Sequence, residues 1–447
     1  MDAQHHGLEQ AKRLNGSAKN IQSSNSPNSG NFVDMFVTVY IFLVVVVLAQ
    51  LVYPFISMVA GKIAGRERLT PTTDQARLYD YACVITAYKN AAIAQPLVES
   101  LLRQRYSNLH IYLVADECPG LAWTLQDPRL TVLQPDPPLR LKVKSIIHAT
   151  ENFCRPHDYI AVFDADNLAH PDFLEHINRY ANAGHLCIQG QRTAKNLDTT
   201  YAALDSMGEH YKNYIERRLP WLLGGSAVIS GSGMATESAL YRDYLCSPEI
   251  EQGKTQWKKM LQEDKILQNF LLGRDETIAY AHAAIVYDEK VETGEAVQTQ
   301  RSRWLFSYFQ NLPNALRLLV RGISRGSWNQ FYFGYVTAVL PMFIQVGVAG
   351  LLFLAGLFIA PRWALLLAAG VCIFTVGVLW ALRLDGAPPP VWAAVRSVPR
   401  FVLRQMLGLL KMGNPNKNFK HTEHRKFISV EDLIDGPAAG GKGPSAS

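Results

Sequence analysis

The chain has 447 residues, of which 48% are hydrophobic and 18% charged, with a formal net charge of +6. It is too apolar to be disordered throughout and too long for one small core. The positive balance suits attraction to anionic lipid or to a polyanionic substrate; no nucleic-acid partner is expected.

In chain order, residues 1–31 carry a Ser/Asn/Gly run and read as a disordered tail. Residues 35–61 contain no charge, and "VTVYIFLVVVVLAQLVYPFISMV" is long enough to cross a hydrocarbon core of roughly 30 Å as a helix. It starts too far in, and runs too long, for a signal peptide. From 78 to 303, short β-rich runs alternate with helical stretches. "YACVITAY" (81–88), "LHIYLVAD" (109–116), "LTVLQP" (130–135), "YIAVFDAD" (159–166) and "HLCIQGQ" (185–191) read as strands. This predicts an α/β domain with a largely parallel sheet, whose ligands sit beyond the carboxyl ends of the strands. Residues 304–325 and 391–412 are amphipathic, arginine-bearing stretches that suit helices in a membrane interface; packing on the α/β domain is the alternative. Two further uncharged runs, 331–360 and 363–382, are the second and third expected spans, and 413–447 is the C-terminal tail.

Basic residues flank the spans unevenly. Lys62, Arg66 and Arg68 follow the first, Arg317, Arg321 and Arg325 precede the second, and Arg383, Arg396, Arg400, Arg404 and Lys411 follow the third, against Arg362 in the short loop. The expectation is an integral membrane protein whose middle region and C-terminus face the cytoplasm, at the inner membrane if the cell is bacterial. Six cysteines without a CxxC pair suit reduced thiols there.

Three stretches carry groups suited to chemistry. Asp164 and Asp166 in "DADNLAHPDF" could hold a hard divalent cation against a phosphate, or could form a turn. Glu263 and Asp264 precede a helical pattern, where they could complement the helix dipole or supply a general base. Gln300, Arg301, Arg303 and Trp304 could grip a diphosphate and stack on a sugar, or could anchor the chain at the membrane.

Taken together, "TAYKN", Asp116, "DAD", "QED" and "QRSRW" occur in the order of the motifs of membrane-bound family 2 glycosyltransferases. The chain resembles that group, which contains cellulose, chitin and hyaluronan synthases and ceramide glucosyltransferase, over about residues 80–305. The resemblance implies a Rossmann-like GT-A catalytic domain beside the transmembrane helices. It also implies that Ala87, Tyr88 and Asp116 bind the uridine end of a UDP-sugar and that Lys144, in "KVKSIIHA", approaches the diphosphate. Asp164 and Asp166 would hold Mg²⁺ or Mn²⁺, with Asp164 also near the nucleotide, and Asp264 would be the base. Gln300, Arg301, Arg303 and Trp304 would steady the leaving UDP and the acceptor, and "ISGSGMA" (229–235) would be the acceptor-facing loop. The expected enzyme is an inverting, UDP-sugar-dependent hexosyltransferase that elongates a cell-surface polysaccharide processively. Three spans are few for a polymer pore, so an oligomer, an export partner or the interfacial helices would supply the rest. Transfer of one sugar to a membrane lipid is the alternative, and an inactive scaffold or sugar-binding subunit a more distant one.

Overall fold

The computed structural model describes residues 29–69, 76–119, 123–256 and 262–409, with 428, 430 and 433. Most of the two expected tails, and positions 410–412 of the last amphipathic stretch, lie outside the described residues.

The strand runs assemble into one eight-stranded sheet in the order β3-β2-β1-β4-β7-β6-β8-β5. Its strands are β1 (Tyr81–Tyr88), β2 (Leu109–Asp116), β3 (Leu130–Leu133), β4 (Tyr159–Asp164), β5 (Leu168–Ala169), β6 (Cys187–Ala194), β7 (Met234–Glu237) and β8 (Ile278–Asp288). Every residue of β2 is buried, and its apolar run Ile111–Ala115 suits a strand covered on both faces. The first four strands are mutually parallel. The sheet is mixed beyond them, because β7 runs antiparallel to both β4 and β6 and β5 runs antiparallel to β8.

The helices are α1 (Ser29–Ala64), α2 (Gln95–Leu102), α3 (Lys142–Glu151), α4 (Phe173–Asn182), α5 (Thr200–Lys212), α6 (Leu219–Leu222), α7 (Ser238–Leu245), α8 (Pro248–Gln256), α9 (Glu263–Gly273), α10 (Gly294–Arg325), α11 (Trp328–Ala338), α12 (Met342–Ile359), α13 (Pro361–Leu384), α14 (Pro389–Ala394) and α15 (Val398–Leu409). A π-helical turn, Asn213–Arg218, continues α5. Local chemistry sets several starts. Pro96 suits the first turn of α2, and the Thr199 and Ser327 hydroxyls accept from backbone N–H groups that would be unpaired in α5 and α11.

Among the described residues, three helices are long and apolar enough to cross a membrane: Asp34–Ala64, Met342–Ile359 and Pro361–Leu384. The second differs from the expected 331–360. Pro341 has no N–H to continue a helix, so the uncharged run splits. Its first part, α11, buries Tyr332, Phe333 and Val336 in the same core as β1 and β4. Tyr53 and Met58 of α1 and Ala381 of α13 join that core, while Tyr40, Val44, Leu51, Ala349, Leu367 and Phe374 bind the three apolar helices to one another.

The amphipathic stretches divide. α10 leaves Phe309, Leu316, Val320 and Ile323 exposed on one side, as an interfacial helix would. Val391, Ala394 and Phe401 instead pack against Ala203, Leu204 and Met207 of α5, which is the alternative weighed for 391–412.

Candidate active site

Parallel pairing sets Tyr88 beside Asp116 and Thr86 beside Asp164, so the carboxyl ends of β1, β2 and β4 share one edge. The turn after β4 is held by Asn167, whose side-chain oxygen accepts from Asp164 N–H at 3.1 Å and whose own N–H reaches Asp164 O at 3.1 Å. Asn167 thus performs the turn duty that Asp164 and Asp166 were otherwise candidates for, and both carboxylates line a cavity of about 2040 Å³.

Lys142, the first residue of α3, enters the same edge. Its Nζ donates to Asp164 Oδ1 at 2.6 Å and to Gly231 O at 2.8 Å, and lies 3.4 Å from Glu263 Oε1. Burial opposes its charge, but Asp164 and Glu263 prevail and hold its pKa above the ordinary lysine value. One ammonium thereby ties together the end of β4, the 229–235 loop and the start of α9. Glu263 and Asp264 form the acidic first turn of α9, so the helix-dipole role is met there. Burial pushes the Glu263 carboxyl up to about 7 against the pull of Lys142. Asp264 keeps contact with solvent and lies 3.7 Å from Lys265 Nζ. Gly231, at φ +86°, faces it: a Cβ there would stand 3.7 Å from Asp264 Cβ. Gly233, at φ +62°, has no room for one, because Val286 Cγ1 would be 2.9 Å away.

The QRSRW run lies inside α10 rather than ahead of a helix. Spacings of three and four put Gln300, Arg303 and Trp304 on one face, and all three line the cavity with Arg301. Arg301 sits 3.8 Å from Asp205 Oδ1 and over the Phe401 ring. Behind this wall, Glu209 is buried among Arg192 at 2.9 Å, Arg217 at 2.7 Å and Lys290 at 3.5 Å. Although its burial works against ionisation, those cations hold its pKa well below the carboxylate range. The cavity then continues past α11 to Leu340, Met342, Val346, Phe374 and Val378 of the apolar helices.

Of the residues singled out in the sequence, Tyr88, Asp164, Asp166, Asp264, Gln300, Arg301, Arg303 and Trp304 line this cavity. Ala87, Asp116 and Lys144 do not. Ala87 is buried within the sheet. Asp116 is 2% exposed, and its two oxygens accept from Leu139 N–H at 2.8 Å and Arg140 N–H at 2.6 Å, so its carboxylate fixes the 139–140 backbone. Lys144 is two residues on from Lys142, about 200° around the helix, and faces elsewhere. Glu117 was also missed. It accepts from Tyr88 Oη at 2.6 Å and Arg140 Nη2 at 2.8 Å, and Lys89, Glu117 and Arg140 all adopt positive φ, a clustering of strained backbone typical of functional edges.

The donor chemistry fits a divalent cation at Asp164 and Asp166, two hard oxygen ligands on one turn. Among the described residues no three His, Cys, Asp or Glu side chains converge to hold an ion alone, so further oxygens would come from the ligand.

Residues 79–307, about half of the chain, match the family described as "Glycosyltransferase like family 2". No curated protein matches the chain. Among solved structures it is similar to the mannosyltransferase PcManGT from Pyrobaculum calidifontis in complex with GDP-Man and Mn²⁺, at 13% identity and a TM-score of 0.48, covering 79% of this chain and 98% of that one. It is also similar to residues 1–349 of S. aureus TarS, at 10% identity and a TM-score of 0.36, covering 69% of this chain and 93% of that one. The family match and the mixed sheet agree with the GT-A glycosyltransferase fold expected beside three apolar helices. The chain is a family 2 glycosyltransferase.

Proposed function

We propose that this glycosyltransferase moves a sugar from a UDP-sugar to an acceptor carried by a membrane lipid, on the cytoplasmic side. The observation that carries the acceptor is the continuity of one cavity from Asp164, Asp166 and Asp264 to Leu340, Met342, Val346, Phe374 and Val378. A polysaccharide needs hydroxyl-matching walls on its way out, whereas aliphatic walls suit a hydrocarbon tail. Elongation of a polysaccharide is the second reading, favoured by the Gln300 to Trp304 run on the cavity wall.

In this reading Tyr88, with Glu117 behind it, meets the nucleoside, and Lys142 takes the diphosphate role expected of Lys144. Asp164 and Asp166 would hold Mg²⁺ or Mn²⁺, which when bound would offset charge on the leaving diphosphate. Asp264 accepts the proton of the acceptor hydroxyl as that oxygen attacks the anomeric carbon from the face opposite UDP, so the configuration inverts. The Gln300, Arg303 and Trp304 face steadies the departing UDP and the acceptor sugar, and Gly231 leaves room for them beside Asp264.

The test is to incubate full-length protein with radiolabelled UDP-sugars, Mn²⁺ or Mg²⁺, and a total lipid extract. Label in a single organic-soluble product supports the reading, and its dependence on the cation is checked by chelation. Label only in a water-soluble polymer refutes the lipid acceptor in favour of elongation.

A further inference from the structure

Lys212, the last residue of α5, brings a charge to the cavity wall without a counter-charge. Its Nζ stands 4.8 Å from the centre of the Trp304 ring, and both side chains line the cavity. Among the described residues no carboxylate lies within 4 Å of it. Glu209, one turn back, is engaged by Arg192 and Arg217. Burial pulls the Lys212 pKa below the ordinary lysine value; Glu216 and Glu209 oppose the fall from a distance, and Arg217 and Lys265 add to it.

Two groups of α9 face the same space. Lys265 lines the cavity beside Asp264. Gln268, one turn after Asp264, is fully buried and also lines it, yet neither its Nε2 nor its Oε1 has a hydrogen-bond partner. A desolvated ammonium and an orphaned buried amide are each costly, and one ligand relieves both: an anion whose oxygens accept from the two lysines and from Gln268 Nε2.

We propose that the acceptor lipid carries a phosphate group held by Lys212, Lys265 and Gln268, with Trp304 under the Lys212 ammonium. This rests on the lipid-acceptor reading above. The donor diphosphate has its own cation in Lys142 at the end of β4, and the lipid phosphate occupies a separate place toward α5, with its tail along the apolar wall.

The probe is radiolabelled dodecyl phosphate, bound at equilibrium to the full-length protein in a non-ionic detergent, with dodecanol and inorganic phosphate as comparison ligands. The expected result is saturable binding at least tenfold tighter than either comparison and undiminished by saturating UDP. Lys212→Met and Gln268→Leu should each weaken it at least tenfold, Lys212→Arg should retain it, and UDP affinity measured on the same samples shows that the variants are folded. Displacement by UDP would overturn the proposal, because the cations would then serve the donor. Equal affinity for dodecanol would overturn the phosphate while leaving the lipid reading standing, and equal affinity for inorganic phosphate would assign the site to a soluble anion. Failure of both dodecyl compounds to bind would refute the lipid reading itself.

Discussion

Replacing Lys142 by Met, and separately Lys144 by Met, distinguishes the two lysines of α3. Lys142→Met removes a 2.6 Å hydrogen bond to Asp164, a 2.8 Å hydrogen bond to Gly231 O and a 3.4 Å ion pair with Glu263. The Asp164 side chain is 37% exposed, so that pair is screened and counts near the surface value of at most about 1 kcal/mol. The Glu263 side chain is 16% exposed, and losing its cation together with the bond to Gly231 O adds about 1–2 kcal/mol. A total of about 1–3 kcal/mol corresponds to a fall of about 5- to 140-fold if it is expressed at the site. Lys144→Met touches none of these groups and should stay within about 0.5 kcal/mol, or roughly twofold. The assay is kcat/KM for UDP release by the full-length protein, with thermal melting to show that each variant is folded. The reasoning fails if Lys144→Met costs as much as Lys142→Met, or if Lys142→Met leaves kcat/KM within threefold of the parent.

Asp264→Asn should lower kcat by about 10²- to 10⁴-fold with UDP affinity retained; unchanged turnover in a folded variant would remove Asp264 from the chemistry. Burial raises the Glu263 carboxyl to about 7 even beside Lys142, so the stability contributed by its protonated form is fully present below its ordinary pKa of 4.5 and is lost as pH rises through about 7. In Glu263→Gln, melting temperature plotted against pH should therefore be flatter between 4.5 and 7 than in the parent, and an identical slope would count against that titration. Glu209→Ala takes from the buried Arg217 the carboxylate it pairs with at 2.7 Å, while Lys290 keeps Asp288 at 2.9 Å, and should cost about 3–5 kcal/mol in chemical denaturation; a loss under 1 kcal/mol would mean that water enters the cluster.

What the sequence displayed depended on how local each feature is. Tyr88, Asp164 and Asp166 lie at the ends of apolar runs, and a parallel sheet converts a run's end into a place on one edge. Gln300 to Trp304 is a contiguous run, readable without knowing that α10 begins at Gly294. Lys142 and Lys144 differ only in the rotation of a helix start, which a motif with both lysines leaves open. The use of Asp116 was hidden because its partners, Leu139 and Arg140, come from a loop more than twenty residues away and donate through backbone that any residue type would supply. β7 was concealed behind the glycines of 229–235, and β8, with the small-residue pattern "IAYAHAAIVYD", lacks the bulky alternation of an exposed strand. The cavity wall gathers Lys212, Gln268 and Phe374 from segments far apart in the chain, so no window of sequence contains it.

The break at Pro341 decides where this protein can be cut. A chain ended after Arg325 would discard Tyr332, Phe333 and Val336 and open the core beneath β1 and β4, whereas one ended after Ala338 would keep them. Even the longer piece would lack Ala381 of α13, and removing α1 would take Tyr53 and Met58 from the same core. The catalytic body is consequently not a detachable head on a leash: its hydrophobic interior is completed by helices apolar enough to cross a bilayer, and a fragment without them loses part of that interior.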